Sequence, residues 1–265
     1  MSDSNSMEVV FLGTGTSHGI PMIGCDCPVC RSDDPRDRRN RACVALRLPP
    51  GGPTGGRGIL IDAPPELRLS AVANNIRRVD AVLITHAHAD HILGMDDLRR
   101  YNNILGDTIP CHGSREAIEI ARNVFRYADQ PYTHPDRPSL AFRAIDGAAE
   151  VCGITVIPLP LVHGRTAVLG FRIGRFAYCT DCSGIPQTTW PLLEDLDLLV
   201  LGALRYTPHP AHFNVEQALA AVRAIRPRRT LLTHIAHEVR HAVLSAELPA
   251  GVELAYDGLR THAAV

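Results

Sequence analysis

Short apolar runs broken by glycine, proline and aspartate recur along the chain, and their lengths predict strands more often than helices. Glu8 to Leu12 reads as a first buried strand, and Ala42–Leu48 with Gly58–Asp62 as a hairpin. The Pro- and Gly-rich loop between the hairpin strands, residues 49–57, is expected to be mobile. Ala81–Ile84 is another strand, followed by Ile109–His112, Ser139–Ile145, Val151–Pro158, Leu169–Ile173, Arg175–Cys179, Leu198–Gly202, Thr230–Thr233 and Val252–Ala255. Helices are expected over Pro64–Asn74, Met95–Ile104, Ser114–Arg126 and Asn214–Ile225, the last with Asn214 as cap and Gln217 three residues on. Strands outnumber helices. That balance predicts an α/β (α+β) chain in which sheet packs on sheet with helices outside, rather than a doubly wound sheet.

Composition adds bounds. With 265 residues, of which 45% are hydrophobic and 21% charged, the chain is expected to form one domain over 1–265, with residues 1–7 as a disordered leader. A net charge of -1 offers no overall basic field, which disfavours nucleic acid as partner. The start of the chain lacks an apolar signal segment and no run of 18 apolar residues occurs, so a cytoplasmic protein without a membrane span is expected. A homodimer is left open. The loop Gly13–Gly19 lacks the lysine of a nucleotide P-loop, and its glycines suit tight turns. Asp34 to Arg41 reads as a solvated, salt-bridged surface, with a substrate-phosphate contact as its other role.

The chemistry concentrates after the strand Ala81–Ile84, in Thr85-His86-Ala87-His88-Ala89-Asp90-His91. In an extended segment, residues two apart point the same way, so His86 and His88 suit one ion. Asp90 and His91 fall past the turn and suit a second ion nearby. One loop cannot complete two coordination spheres. Further candidates stand at strand ends: His163 before Gly164, Asp181 in Thr180-Asp181-Cys182-Ser183-Gly184, and His234 after Leu231-Leu232-Thr233. Asp62, also at a strand end, suits orientation of a ligand histidine. Cys25, Cys27 and Cys30 form a knuckle that places three thiolates around one point, spacing for zinc rather than for disulfides.

His-x-His-x-Asp-His followed by a His, an Asp and a His resembles the metallo-β-lactamase superfamily over essentially the whole chain. The resemblance implies an αββα sandwich of two packed mixed sheets, with a dinuclear site on one edge. It assigns His86, His88 and His163 to one divalent ion, zinc or manganese, and Asp90, His91 and His234 to the other, with Asp181 bridging. The knuckle together with Thr233-His234-Ile235-Ala236-His237 is similar to PhnP-type cyclic phosphodiesterases. That similarity implies a structural zinc on Cys25, Cys27, Cys30 and His237, with Cys43 as the alternative fourth ligand.

Two divalent ions, two aspartates and one hydroxide leave a centre near +1, which suits a phosphodiester monoanion. The expected activity is phosphodiesterase action on cyclic or small diesters, by attack of a hydroxide shared between the ions with Asp90 in the catalytic set. His212, placed where PhnP-type and tRNase Z-like enzymes carry a histidine near the metals, is the candidate proton donor to the leaving oxygen. Two rivals remain, a tRNase Z-like nuclease and a non-catalytic metal-binding accessory protein. The first lacks a long basic RNA-gripping insertion, and the intact Asp90 and His91 argue against the second.

Overall fold

The computed structural model describes residues 6–265. In chain order the first strands are β1 (Ser6–Gly13), β2 (Cys43–Arg47), β3 (Gly58–Ile61), β4 (Ala81–Ile84), β5 (Ile109–Gly113) and β6 (Leu140–Ala144). They are followed by β7 (Ala149–Val151), β8 (Ile154–His163), β9 (Thr166–Ile173), β10 (Phe176–Cys179), β11 (Leu198–Gly202), β12 (Arg229–Thr233), β13 (Val252–Leu254) and β14 (Arg260–Ala264). Among the described residues these make two seven-stranded sheets, ordered β14-β1-β2-β3-β4-β5-β6 and β13-β12-β11-β10-β9-β8-β7. The helices are α1 (Leu67–Ala73), α2 (Ala89–Ile92), α3 (Arg99–Leu105), α4 (Arg115–Val124), α5 (Val215–Ile225) and α6 (His241–Glu247).

Side-chain alternation along the strands builds the layers. Val9, Phe11, Ile59, Ile61 and Leu83 point to the inner core, where they meet Val156, Phe171, Phe176, Tyr178 and Val200 of the second sheet. Their neighbours Val10, Leu12, Leu60, Val82 and Ile84 point outward, onto Leu67 and Ala71 of α1, Tyr101 of α3 and Ile118 of α4. The second sheet repeats the device, with Leu159, Ala177, Leu199 and Leu232 beneath Val215 and Ala218 of α5 and Leu244 of α6. Both faces of each sheet are therefore buried, which explains the nearly uninterrupted apolar runs. The result is the expected αββα sandwich.

Several boundaries differ from the sequence reading. Ser6 and Met7, assigned to a disordered leader, belong to β1 and pair with Ala264 and Ala263; residues 1–5 lie outside the described residues. The run Val151–Pro158 is not one strand, because Cys152 and Gly153 turn the chain between β7 and β8 with φ of 55° and 80°. Two positive-φ residues are what a two-residue hairpin turn demands. Met95–Ile104 begins as a 3-10 turn, Met95–Leu98, before α3. The 49–57 loop holds a 3-10 turn closed by the Thr54 hydroxyl, which donates to the Pro49 and Gly51 carbonyls. The capping box of α5 forms as expected, Asn214 accepting from the Gln217 amide at 2.8 Å.

Candidate metal centre

Within each sheet, the strands that deliver candidate ligands point the same way. β3, β4 and β5 are parallel, as are β10, β11 and β12; β8 and β10 both run antiparallel to β9 and so share the direction of the second set. Asp62, the 85–91 segment, His163, Asp181 and His234 therefore emerge together at the carboxyl ends of β3, β4, β8, β10 and β12. Three of them turn sharply there. Asp62, Asp181 and His234 have φ of 64°, 48° and 59°, left-handed conformations that cost non-glycine residues on the order of 1 kcal/mol each. Asp and His tolerate this region better than most residues.

The 85–91 segment is not wholly extended. His88 caps the one-turn helix α2, which carries Asp90 and His91, and the His91 ring stays beside His86 with ring centroids 4.1 Å apart. His86 Nε2 lies 2.8 Å from His88 Nδ1, both aimed at one point. Ligand atoms of His86, His88 and His163 lie within 4.8 Å of one another, as do those of Asp90, His91 and His234. Asp181 stands between the groups: Oδ2 is 3.2 Å from His91 Nε2, Oδ1 is 3.0 Å from His234 Nε2, and the carboxylate also lies within 4.8 Å of ligand atoms of His86 and of His163.

The outer nitrogens are fixed by partners. His91 Nδ1 sits 2.7 Å from Asp62 Oδ2, and the Thr85 amide and hydroxyl each donate to the Asp62 carboxylate at 2.9 Å. His163 Nδ1 donates to the Ala211 carbonyl at 2.8 Å, which turns Nε2 toward the site. Thr85 and Ala211 were not singled out from the sequence. Thr85 stands directly after β4, but a backbone carbonyl such as that of Ala211 leaves no compositional trace.

Protonation follows from this burial. Burial, reinforced by His91, lowers His86 to about 2, and burial with His163 lowers His88, so both rings are neutral with free lone pairs. Burial alone would raise Asp181 and Asp90, but His234 and His91 hold Asp181, and His91 holds Asp90, below the usual carboxylate range. Burial opposes a charged His91, yet Asp181 and Asp62 overcome it and hold the imidazolium well above its ordinary pKa. Neutral imidazoles and ionised carboxylates are the forms that bind metal, and His91 would lose its Nε2 proton to solvent on binding an ion.

The residues fit a metal pair. His91 Nε2 and His234 Nε2 are buried and make no aligned hydrogen bond among the described residues, although carboxylate oxygens stand beside both. Buried unsatisfied polar atoms are costly, and a cation between these nitrogens and carboxylates would satisfy them together. His212 lies alongside, with Nδ1 3.6 Å from Asp181 Oδ1 and its ring stacked on His234 at 4.9 Å. Burial and His234 lower its pKa to about 3.

A second cluster lies beside this edge, built on His237 three residues past His234. Sγ of Cys25, Cys27 and Cys30 lie 3.4, 3.3 and 4.0 Å from His237 Nδ1. The Met22 amide donates to Cys30 Sγ and the Cys30 amide to Cys27 Sγ, each at 3.4 Å. Burial works against a Cys27 thiolate, but the Cys30 amide and His237 bring it down to about 6; burial pushes Cys30 up to about 11. Cys43 is elsewhere, buried in the core with its thiol on the Asp62 carbonyl at 3.3 Å, so it is not the fourth member.

The arginine-rich run is a solvated, salt-bridged surface only in part: Arg36 pairs with Asp34 at 2.7 Å and Arg38 is exposed, but two of its residues turn inward. Asp37 and Arg39 are buried, 3.1 Å apart, and Arg39 donates to the Ala236 and Val239 carbonyls while Asp37 accepts from the His241 amide. The pair clamps the segment that carries His234 and His237. Gly13 and Gly15 are needed beside it: a Cβ on them would lie 1.9 Å from the Arg41 carbonyl oxygen and 2.8 Å from that of Arg39.

Residues 57–235 match the family model described as a beta-lactamase superfamily domain. The chain belongs to that superfamily. It is 37% identical to a solved structure described as a new diphosphatase from the PhnP family, with a TM-score of 0.88 over 96% of this chain and 97% of that one. Human tRNase Z, short form, shares the fold at 19% identity, with a TM-score of 0.68 over 96% and 98% of the two chains. A Porphyromonas gingivalis protein named octanoyltransferase is 35% identical over 260 residues, 96% of this chain but 51% of that protein. The chain thus spans about half the length of that curated relative.

Proposed function

We propose that this hydrolase is a dinuclear metal-dependent phosphodiesterase acting on cyclic or small phosphodiesters. The observation that carries the reading is Asp181, whose oxygens stand 3.2 and 3.0 Å from Nε2 of His91 and His234 in one ligand group, while its carboxylate also lies within 4.8 Å of ligand atoms of His86 and of His163 in the other. His86, His88 and His163 would hold one ion, Asp90, His91 and His234 the other, with Asp181 shared. Zinc or manganese held there would supply Lewis-acid charge and an activated water at neutral pH. A structural zinc would sit on Cys25, Cys27, Cys30 and His237.

The chain's own residues do the rest. Asp62 keeps the proton on His91 Nδ1, so that Nε2 faces the site. The Ala211 carbonyl does the same for His163. His212 donates a proton to the leaving oxygen, and the charge of a bound phosphodiester raises its low pKa toward that task. Hydrolysis of bis(p-nitrophenyl) phosphate, lost on chelation and restored by zinc or manganese, tests the reading. No hydrolysis by metal-loaded protein would leave the accessory role.

The PhnP-family likeness supports a second reading, hydrolysis of a diphosphate, because attack at phosphorus uses the same centre. A nucleoside diphosphate assayed beside a 2′,3′-cyclic nucleotide separates the two. Cleavage of precursor tRNA would instead support the nuclease reading. Octanoyl transfer is not adopted, because this chain spans only about half the length of the relative that carries that name.

A further inference from the structure

Between α1 and α3 lies a groove of about 580 Å³ that shares no lining residue with either metal-ligand cluster. That volume falls in the range of small-molecule sites, about 300–1,000 Å³. Its floor is made by Leu67 and Ala71 of α1, Ile76, and Tyr101 of α3, all buried. The Tyr101 hydroxyl donates to the Ile76 carbonyl at 2.9 Å, so its polar end is satisfied within the floor. Val72 and Ile104 also line the groove and stand 74% and 48% exposed, although both are apolar. Apolar side chains gathered around a concavity mark a binding surface. The charge there is one-sided: Arg68, Arg77 and Arg100 face one carboxylate, Asp97, among the described lining residues, in a chain of net charge -1. Arg77 is held by Asn75 Oδ1 at 2.5 Å, but Arg68 and Arg100 are exposed with no ion pair or hydrogen bond among the described residues.

We propose that the groove between α1 and α3 is a binding site for a medium-chain carboxylate, its hydrocarbon tail on the floor of Leu67, Ala71, Ile76 and Tyr101 and its head on the rim of Arg68 and Arg100. An unpaired guanidinium offers a planar fork that matches a carboxylate, and the buried floor gains by losing contact with water. A second copy of this chain fits the groove worse, because a two-fold contact sets the arginines of one copy against those of the other. A membrane surface fits worse as well: the floor is recessed, whereas lipid is met by apolar side chains that protrude into it.

Calorimetry on the intact, metal-loaded chain tests the site with sodium decanoate below its micelle concentration. The wild type should bind one decanoate per chain, about tenfold or more tightly than hexanoate and than decyltrimethylammonium, which has the same tail and the opposite charge. Combining Arg68→Gln with Arg100→Gln should weaken decanoate by about tenfold or more, the worth of a hydrogen bond to a charged group. Val72→Asp, at an exposed position, should weaken it as well by setting a carboxylate beside the tail, and melting curves check that each variant keeps its fold. Absence of saturable decanoate binding in the wild type, equal affinity for the cationic amphiphile, or undiminished binding in the double variant would each overturn the site. Retention of the protein on phosphatidylglycerol vesicles with no decanoate bound in solution would make the groove a membrane contact and overturn it too. The groove shares no residue with the metal centre, so the outcome does not depend on which phosphoester that centre hydrolyses.

Discussion

Asp62 and His91 form a buried pair, Oδ2 to Nδ1 at 2.7 Å, that leaves the other ring nitrogen facing Asp181. Losing such an orienting carboxylate typically costs ten- to a hundredfold, so Asp62→Ala should lower kcat/KM by that factor. Asp181→Ala should cost more, because in the proposed centre it is the group both ions would share. Kinetics with metal-affinity titrations on both variants check this, and equal mild losses would take Asp181 out of its shared position.

Elemental analysis should find three metal ions per chain, two removed by EDTA and one, on the cysteines, retained. Cys25→Ser should reduce the count to two. Because thiolate-bound zinc contributes folding energy directly, that variant should lose Tm more than activity per folded molecule. Three ions in Cys25→Ser with an unchanged Tm would remove the structural zinc.

His212→Ala should slow hydrolysis of a cyclic or alkyl diester by about 10² to 10⁴, the usual worth of a general acid. Bis(p-nitrophenyl) phosphate, whose leaving group departs readily as an anion, should suffer much less. Equal losses on the two substrates would make His212 a binding residue.

Acid should weaken the fold through histidines outside the centre. Burial lowers both His112 and His241 to about 4, below the ordinary value of about 6.5. Between those values the unfolded chain binds more protons than the native one, so stability is full above about pH 6.5 and declines as pH falls toward 4. Each group contributes on the order of 1–3 kcal/mol to that decline. His112→Gln and His241→Gln should flatten denaturation midpoints across the window; unchanged slopes would show that these rings titrate normally.

The layers were legible because both sheets are covered, so apolar runs at β1, β4, β11 and β12 are dense and bounded by turn residues. The residues singled out at strand ends are those the parallel strands carry to one edge, since His, Asp and glycine punctuation survive in one-dimensional spacing. What escaped has no local signature. β14 reads Arg-Thr-His-Ala-Ala, too polar to announce a strand, and gains its identity from pairing with β1 across the whole chain. Arg39 looked like surface charge, because its burial depends on carbonyls nearly two hundred residues away. α6 and the turn at Cys152-Gly153 were missed for want of periodicity in so few residues.

The left-handed turns at Asp62, Asp181 and His234 have a consequence for motion. All three lie at the same edge, and two are held through the backbone at or beside them: the Asp62 amide donates to the Leu83 carbonyl, while next to His234 the Thr233 carbonyl accepts from the Ala203 amide and the Ile235 amide donates to the Thr14 carbonyl. Ligation by metal would lock these residues in place; chelation should let that rim relax toward ordinary backbone while the doubly covered sheets stay closed. Native-state hydrogen exchange should then show the amides of Asp62, Ala203 and Ile235 opening sooner after chelation than those at the centres of β4 and β11. The catalytic rim would be the last part of the molecule to become rigid and the first to let go.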